Sequence, residues 1–359
     1  MAWGLVGIAT PINAQVGSAN LIFGISGDVW IKRVGSQKYQ RASRGWINLG
    51  DKLRLGKGAA ATVICGKLPN NIRSWKVTSP GEFVVNRGCY PGKRKINIRP
   101  GSLRCCTRNA NNPKIPYLIS PRNTKLLHNQ PALLRWNPVD GASRYQVSIS
   151  GSGVKWTTEV SQPQVIYSRQ ESLKPGYRYR IIVTSDKGLS STSELPVGFT
   201  VLSQKDSQKI KAEISQLQQI NSNTNLNEES SNYLTAFAQV EIYQSHGLNN
   251  AAIDVLENLI KSGNKARAVY QRLGAIYQEV GLNRLARQRY LAAIELSEKE
   301  QKEEKALIQL RLGEVNQVIG DLKDAYKWYQ AAHQSFHTLG NKEQANLLQQ
   351  KLNYLEERR

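Results

Sequence analysis

Two patterns of apolar positions divide the chain. Before about residue 203, short apolar runs are separated by Gly and basic turns, which predicts strands; after it, apolar residues recur every three to four positions, which predicts helices. The helical pattern is clearest over residues 267–293, RAVYQRLGAIYQEVGLNRLARQRYLAA. Leu273, Gly274, Tyr277, Gly281, Ala286, Tyr290 and Ala293 put small residues where two antiparallel helices would cross and large ones around the crossing. The pattern recurs. Gly247, Gly281 and Gly320 are spaced by 34 and then 39 residues, and Ala252, Ala286 and Ala325 keep the same gaps. Around this core, Ile210, Ile214 and Leu217 predict an amphipathic connector helix over 205–220, and the Asn- and Ser-rich stretch 221–232 predicts a flexible link. Ala345, Leu348, Leu352 and Leu355 predict a final helix over 341–357 that caps the array. The charged run 298–305 should lengthen two helices or their loop before the third repeat.

The recurring small and aromatic positions resemble the tetratricopeptide repeat. That resemblance implies a solenoid whose first helices line a concave face that docks a protein or peptide. Residues on that face not needed for packing would be Glu241, Gln244, Gln271, Gln278, Glu314 and Gln317, an amide-rich and weakly acidic lining. Val240 stands where the later repeats have Gly274 and Gly313, which implies looser packing of the first helix pair; the proline that usually closes each repeat is missing. Gln271, Arg272 and Ala275 do not form the basic clamp with which some chaperone-binding members hold a terminal carboxylate.

In the strand-rich half, Gly27-Asp28-Val29, then Leu49-Gly50-Asp51-Lys52-Leu53, then Gly56, Gly58 and the small-residue run 59–63 resemble the FecR-type domain of bacterial envelope regulators over residues 24–83. Cys65-Gly66-Lys67 stands where those domains usually have an Asp-Gly turn, and their membrane helix and cytoplasmic signalling segment are missing. Residues 84–116 continue with strand-like Ile96 and Ile98. The second module, 117–201, carries Trp136 before Asn137-Pro138 and Leu173-Lys174-Pro175-Gly176 before Tyr179, and it resembles a fibronectin type III sandwich. In that fold the tryptophan fills the core and the tyrosine ties down a corner. The expected fold is therefore multidomain. Two all-β modules precede an α-helical solenoid, divided as 1–14 export signal, 15–116, 117–202, connector 203–232 and repeats 233–359.

Charge sharpens the division. Residues 15–116 hold 19 Lys and Arg against 3 acidic residues, whereas 201–359 hold 20 against 19, so the net charge of +22 belongs mostly to the first module. Arg41, Arg44, Lys93, Arg94, Lys95, Arg99 and Arg104 form the candidate anion site, with Trp30, Trp46 and Trp75 as stacking faces; the alternative is a solvated basic surface. The apolar start, MAWGLVGIATPINA, reads as the end of a secretory signal whose basic beginning lies upstream, or else as a buried strand. Export to the periplasm or another extracytoplasmic space makes lipopolysaccharide phosphates and acidic envelope glycans the anions within reach. Nucleic acid becomes a partner only if the chain stays in the cytosol.

Cys65, Cys89, Cys105 and Cys106 all fall in the basic module, which reads as a disulfide framework or as buried thiols. Neighbours on a strand point to opposite faces, so Cys105 and Cys106 should not pair with each other. Cys65 and Cys89 would each take one of them. Groups for catalysis are scarce. His333 and His337 have a zinc-compatible spacing without a third ligand, GDKLRLGKG over 50–58 is a strand turn rather than a phosphate loop, and no cofactor is implied. The expected function is a non-catalytic scaffold, with a FecR-type sensor or an enzyme accessory subunit as alternatives.

Overall fold

A computed structural model describes residues 18–67, 71–89, 112–167, 173–193, 196–221, 228–297 and 302–357. The expected export signal, Ile96, Ile98, Cys105, Cys106, Lys93, Arg94, Lys95, Arg99 and Arg104 lie outside the described residues. The chain divides into two compact units, Met1–Tyr90 and Pro91–Arg359.

In the first unit, β1 (Ser18–Ser26), β4 (Gly45–Ile47), β6 (Ala60–Lys67) and β7 (Asn71–Val77) form one antiparallel sheet in the order β4-β1-β6-β7. A second sheet, β3-β2-β5-β8, is made from β2 (Val29–Lys32), β3 (Gln40–Arg41), β5 (Lys52–Leu55) and β8 (Gly81–Val84). Alternating residues point inward, so Ile22, Val29, Ile31, Leu53, Leu55 and Val63 share one core. Asp51 fixes the loops. Its buried carboxylate accepts from the backbone N–H groups of Val34 and Asn48, both at 2.9 Å, and pairs with Arg33 at 2.9 Å. Gly27 turns the chain at φ 71°, where an added Cβ would lie 3.0 Å from Ala59.

Past β8 the chain does not continue as strand. It forms the short helix α1 (Val85–Cys89), which carries Cys89 back onto β6 and bonds it to Cys65, with Cα atoms 5.3 Å apart. This corrects the expectation that each of these cysteines would pair with Cys105 or Cys106. The bridge joins residues 24 apart and leaves no free cysteine among the described residues.

The second unit opens with a two-sheet sandwich. β10 (Thr124–Leu126), β16 (Gly198–Val201), β15 (Arg178–Ser185), β12 (Tyr145–Gly151) and β13 (Val154–Val160) lie in that order in one sheet. β14 (Gln164–Ile166), β11 (Leu133–Trp136) and β9 (Leu118–Ser120) make the other. Trp136 is buried edge-on to Tyr145. The Tyr179 hydroxyl accepts from the Lys174 N–H at 2.7 Å, which holds the 173–176 turn against the sheet. Trp156 is half-buried against Tyr167.

Eight helices follow among the described residues: α2 (Gln204–Asn221), α3 (Glu228–Ser245), α4 (Asn249–Lys261), α5 (Arg267–Glu279), α6 (Asn283–Glu295), α7 (Lys302–Ile319), α8 (Leu322–Thr338) and α9 (Lys342–Glu356). Each packs on the helices before and after it, giving stacked antiparallel pairs. α2 buries Ile210, Ile214 and Leu217, and α9 buries Ala345, Leu348, Leu352 and Leu355. α3 begins at Glu228, inside the stretch 221–232 expected as a flexible link, and α7 is 18 residues against 13 for α5. An early start to α7 absorbs part of the insertion before it.

The crossings explain the repeat's small residues. A Cβ at Gly274 would lie 2.9 Å from the Tyr290 ring, and one at Gly313 would lie 2.4 Å from the Tyr329 ring. In the first pair the residue corresponding to these tyrosines is Leu256, which is buried with Val240. The smaller partner accommodates the larger helix residue. Gly313→Ala should therefore destabilise the helical array by about 1–3 kcal/mol through overpacking. In urea denaturation, adding Tyr329→Leu should recover part of that loss, and an unchanged midpoint for Gly313→Ala would contradict the crossing geometry.

A candidate docking cleft between the sandwich and the repeats

The sandwich is joined to the helical array by polar contacts at helix ends. Helix termini leave backbone N–H and C=O groups without partners inside the helix. Leu248, at the N-cap of α4, offers no side-chain cap, and the Thr124 hydroxyl on β10 takes that place, accepting from the Asn250 N–H at 3.2 Å. The same hydroxyl donates to the Gly247 carbonyl at 3.2 Å, which also accepts from the Lys125 N–H at 2.8 Å. Arg122 does the converse for α5. Its Nε donates to the carbonyl of Val280, the C-cap, at 3.0 Å, while Nη1 donates to the Leu118 carbonyl at 3.0 Å. Arg135 on β11 reaches Asp254 of α4 at 3.6 Å. Burial pushes the Asp254 carboxyl up, and Arg135 opposes that shift.

Beside this seam lies a cleft of about 870 Å³. Arg122, Lys125, Arg178 and Thr200 line it from the sandwich; Gln278, Glu279, Tyr290, Arg311 and Glu314 line it from the helices. On the helical wall, Arg311 pairs with the buried Glu314 at 2.7 Å. The Tyr290 hydroxyl donates to Gln278 Oε1 at 2.9 Å, and in the next repeat Tyr329 donates to Gln317 Oε1 at 2.8 Å. Burial pushes both phenols well above their ordinary range, so they stay protonated donors. Each glutamine is thereby held with its amide nitrogen turned away from the tyrosine. Gln278 Nε2 reaches Glu314 at 3.3 Å. In the first repeat Leu256 has no hydroxyl to offer, and the buried Oε1 of Gln244 has no partner among the described residues.

Of the residues expected on the concave face, Gln278 and Glu314 line the cleft, whereas Glu241, Gln244, Gln271 and Gln317 do not. Two of these are struts between repeats. Glu241 pairs with Arg272, and Gln244 donates to Glu279 at 3.3 Å. The lining of this cleft differs from the amide-rich, weakly acidic one expected of the concave face in holding Arg311 and the cations of the sandwich. Arg311 was accessible to sequence reasoning, since Arg272 stands at the same distance before its own repeat glycine. The sandwich residues carry no comparable signal.

In the first unit, Arg41 pairs with Asp28 at 3.2 Å and lies 6.0 Å from the Trp30 ring, while Arg44 donates to the Phe23 carbonyl at 2.6 Å. Neighbouring Tyr39 donates to Glu82, which also pairs with Lys52 at 2.7 Å. Hydrogen bonds from Lys52 and then Tyr39 hold the exposed Glu82 carboxyl below its usual range; desolvation and Glu82 push Tyr39 up to about 12. The Trp75 ring packs against Gly88 of α1. The rings of His333 and His337 are 6.3 Å apart, and no group of three metal-binding side chains occurs among the described residues. No helix among the described residues is long and apolar enough to cross a membrane.

The chain matches no family model and no curated protein. Among solved structures it is similar to PcrH in complex with the chaperone binding region of PopD, at 18% identity over 38% of this chain and 98% of that one, with a TM-score of 0.32. MamA is similar at 20% identity over 43% and 94% of the two chains, TM-score 0.28. A kinesin light chain from Podospora anserina with TPR-like repeats is similar at 15% identity over 42% and 89%, TM-score 0.30.

Arg122→Ala leaves the Val280 carbonyl without its Nε donor, which should cost about 1–3 kcal/mol. Hydrogen exchange should speed up at the α5–α6 turn, residues 280–283, with β12 and β15 unchanged. Equal protection in both proteins would show that the seam does not hold the turn.

Proposed function

We propose that this protein is a non-catalytic scaffold whose cleft holds an extended segment of a protein partner. The observation that carries this reading is the placing of two different kinds of wall on one cleft. The helical wall presents the amide of Gln278, oriented by the Tyr290 hydroxyl, and the N–H not directed to Glu314 suits a carbonyl group of an extended backbone. The sandwich wall presents Lys125 and Arg178, exposed cations without an ion-pair partner among the described residues, suited to acidic side chains on the same segment. The resemblances to a FecR-type domain and to a fibronectin type III sandwich belong to this proposal, as does an extracytoplasmic location. In such a location the basic first module would hold an anionic glycan or lipopolysaccharide. Its charge of 19 basic against 3 acidic residues over 15–116 supports that role.

Photo-crosslinking residues at Lys125 and at Glu279 in the full chain should capture the same polypeptide. Arg178→Glu should reduce capture severalfold, and a crosslinker at Gln288, exposed outside the cleft, should capture none. Equal capture from Gln288, or different polypeptides from the two walls, would contradict the reading. For the basic module, retention on an anionic matrix should fall steeply with salt, and replacing Lys93, Arg94 and Lys95 by Gln should lower the salt needed for elution. Unchanged elution would count against an anion site there.

A further inference from the structure

The long outer strand of the sandwich has a property the cleft does not use. β13 ends its five-stranded sheet, pairs among the described residues with β12 alone, and is seven residues long, VKWTTEV. An exposed edge of that length is a template for another strand unless something blunts it. The seven-residue edge β7 in the first unit is blunted: Arg73 donates to the Gly88 carbonyl at 2.8 Å and α1 packs beside the strand. No backbone hydrogen bond from the outer side of β13 occurs among the described residues.

Which groups face outward follows from the hairpin. Ser152 and Gly153 form a two-residue turn between Gly151 and Val154, so that flanking pair is hydrogen-bonded. By alternation Trp156, Thr158 and Val160 also direct their backbone groups toward β12. The N–H and C=O groups of Lys155, Thr157 and Glu159 therefore point to the open side. Their side chains share the exposed face, while Val154 is buried and Trp156 half-buried on the other. Lys155 and Glu159 are equidistant from Thr157 and opposite in charge. An antiparallel pairing about Thr157 sets Lys155 of each copy against Glu159 of the other, with Thr157 facing itself. The outward groups of all three residues find partners in that register, about six hydrogen bonds in total.

We propose that β13 is a homodimerisation edge, joining two copies of this chain through an antiparallel β13–β13 pair centred on Thr157. The self-complementary charges favour a second copy, since two identical strands in this antiparallel register form both ion pairs. An interface built on one strand pair is small, so the dimer is concentration-dependent.

Sedimentation of the full chain from about 1 to 100 µM covers the range expected of a small interface. The average mass should rise toward twice the 40.2 kDa of one protomer. Lys155→Glu and Glu159→Lys each oppose like charges twice in the dimer and should weaken association about tenfold. The double variant restores both pairs and should dimerise nearly as the unsubstituted chain does. Thr157→Pro removes a central outward N–H; at an edge the fold tolerates this, and the variant should stay monomeric with an unchanged circular dichroism spectrum. A chain that remains monomeric at the highest concentration overturns the proposal and leaves the edge to a strand of another protein. A dimer indifferent to the single charge reversals, or a double variant as weak as the singles, overturns it as well.

Discussion

The second compact unit depends on helix ends that are completed by a different module. Thr124 accepts from an N–H in the first turn of α4, and Arg122 donates to the carbonyl at the end of α5, so the sandwich supplies one cap at each of two helix termini. Both residues are buried. Buried helix termini without partners are costly, and here the partners come from β10 and the turn before it. The seam is thus a requirement of the helices as well as a joint. Because it spans two successive helix pairs, it fixes the sandwich against the array in translation and rotation. A cleft with one wall from each module follows from that constraint.

Within the array, one substitution pattern sets several properties together. Glycine at 274 and 313 lets the rings of Tyr290 and Tyr329 lie against the preceding helix, and their hydroxyls then reach Gln278 and Gln317. The small residue, the aromatic and the amide form one unit of packing and polarity. The first pair replaces two members, with Val240 and Leu256, and keeps its core filled. It loses the hydroxyl, and Gln244 is left with a buried oxygen that lacks a partner among the described residues. Variation at a packing position therefore alters the chemistry presented by its repeat.

Much of the helical half was legible in the sequence because its order is local. The spacing of Gly247, Gly281 and Gly320 fixes the register of the pairs, and Ala345, Leu348, Leu352 and Leu355 mark the face α9 buries. The roles of Trp136 and Tyr179 were expected from the resemblance to a fibronectin type III sandwich; Trp136 is buried and Tyr179 bonds to the 173–176 turn. The cleft was not legible, since Arg122 and Val280 are 158 residues apart and nothing near Arg122 announces a helix end as its target. Four of the residues chosen from repeat position lie outside the cleft, and that two of them, Glu241 and Gln244, are struts between repeats shows only in the tertiary packing. The cysteine pairing failed for a similar reason. A single helical turn at α1 redirects Cys89 onto β6, where a continued strand would have carried it away.

The most direct test of this account is the distance between the sandwich and the helical array in solution. With spin labels at Arg180 on β15 and Gln288 on α6, both exposed, pulsed electron resonance on the full chain should give one narrow distance distribution, as expected of modules locked at helix ends. A broad or multiple distribution would show modules joined only by a tether, and a cleft built from both of them would not exist as a fixed site.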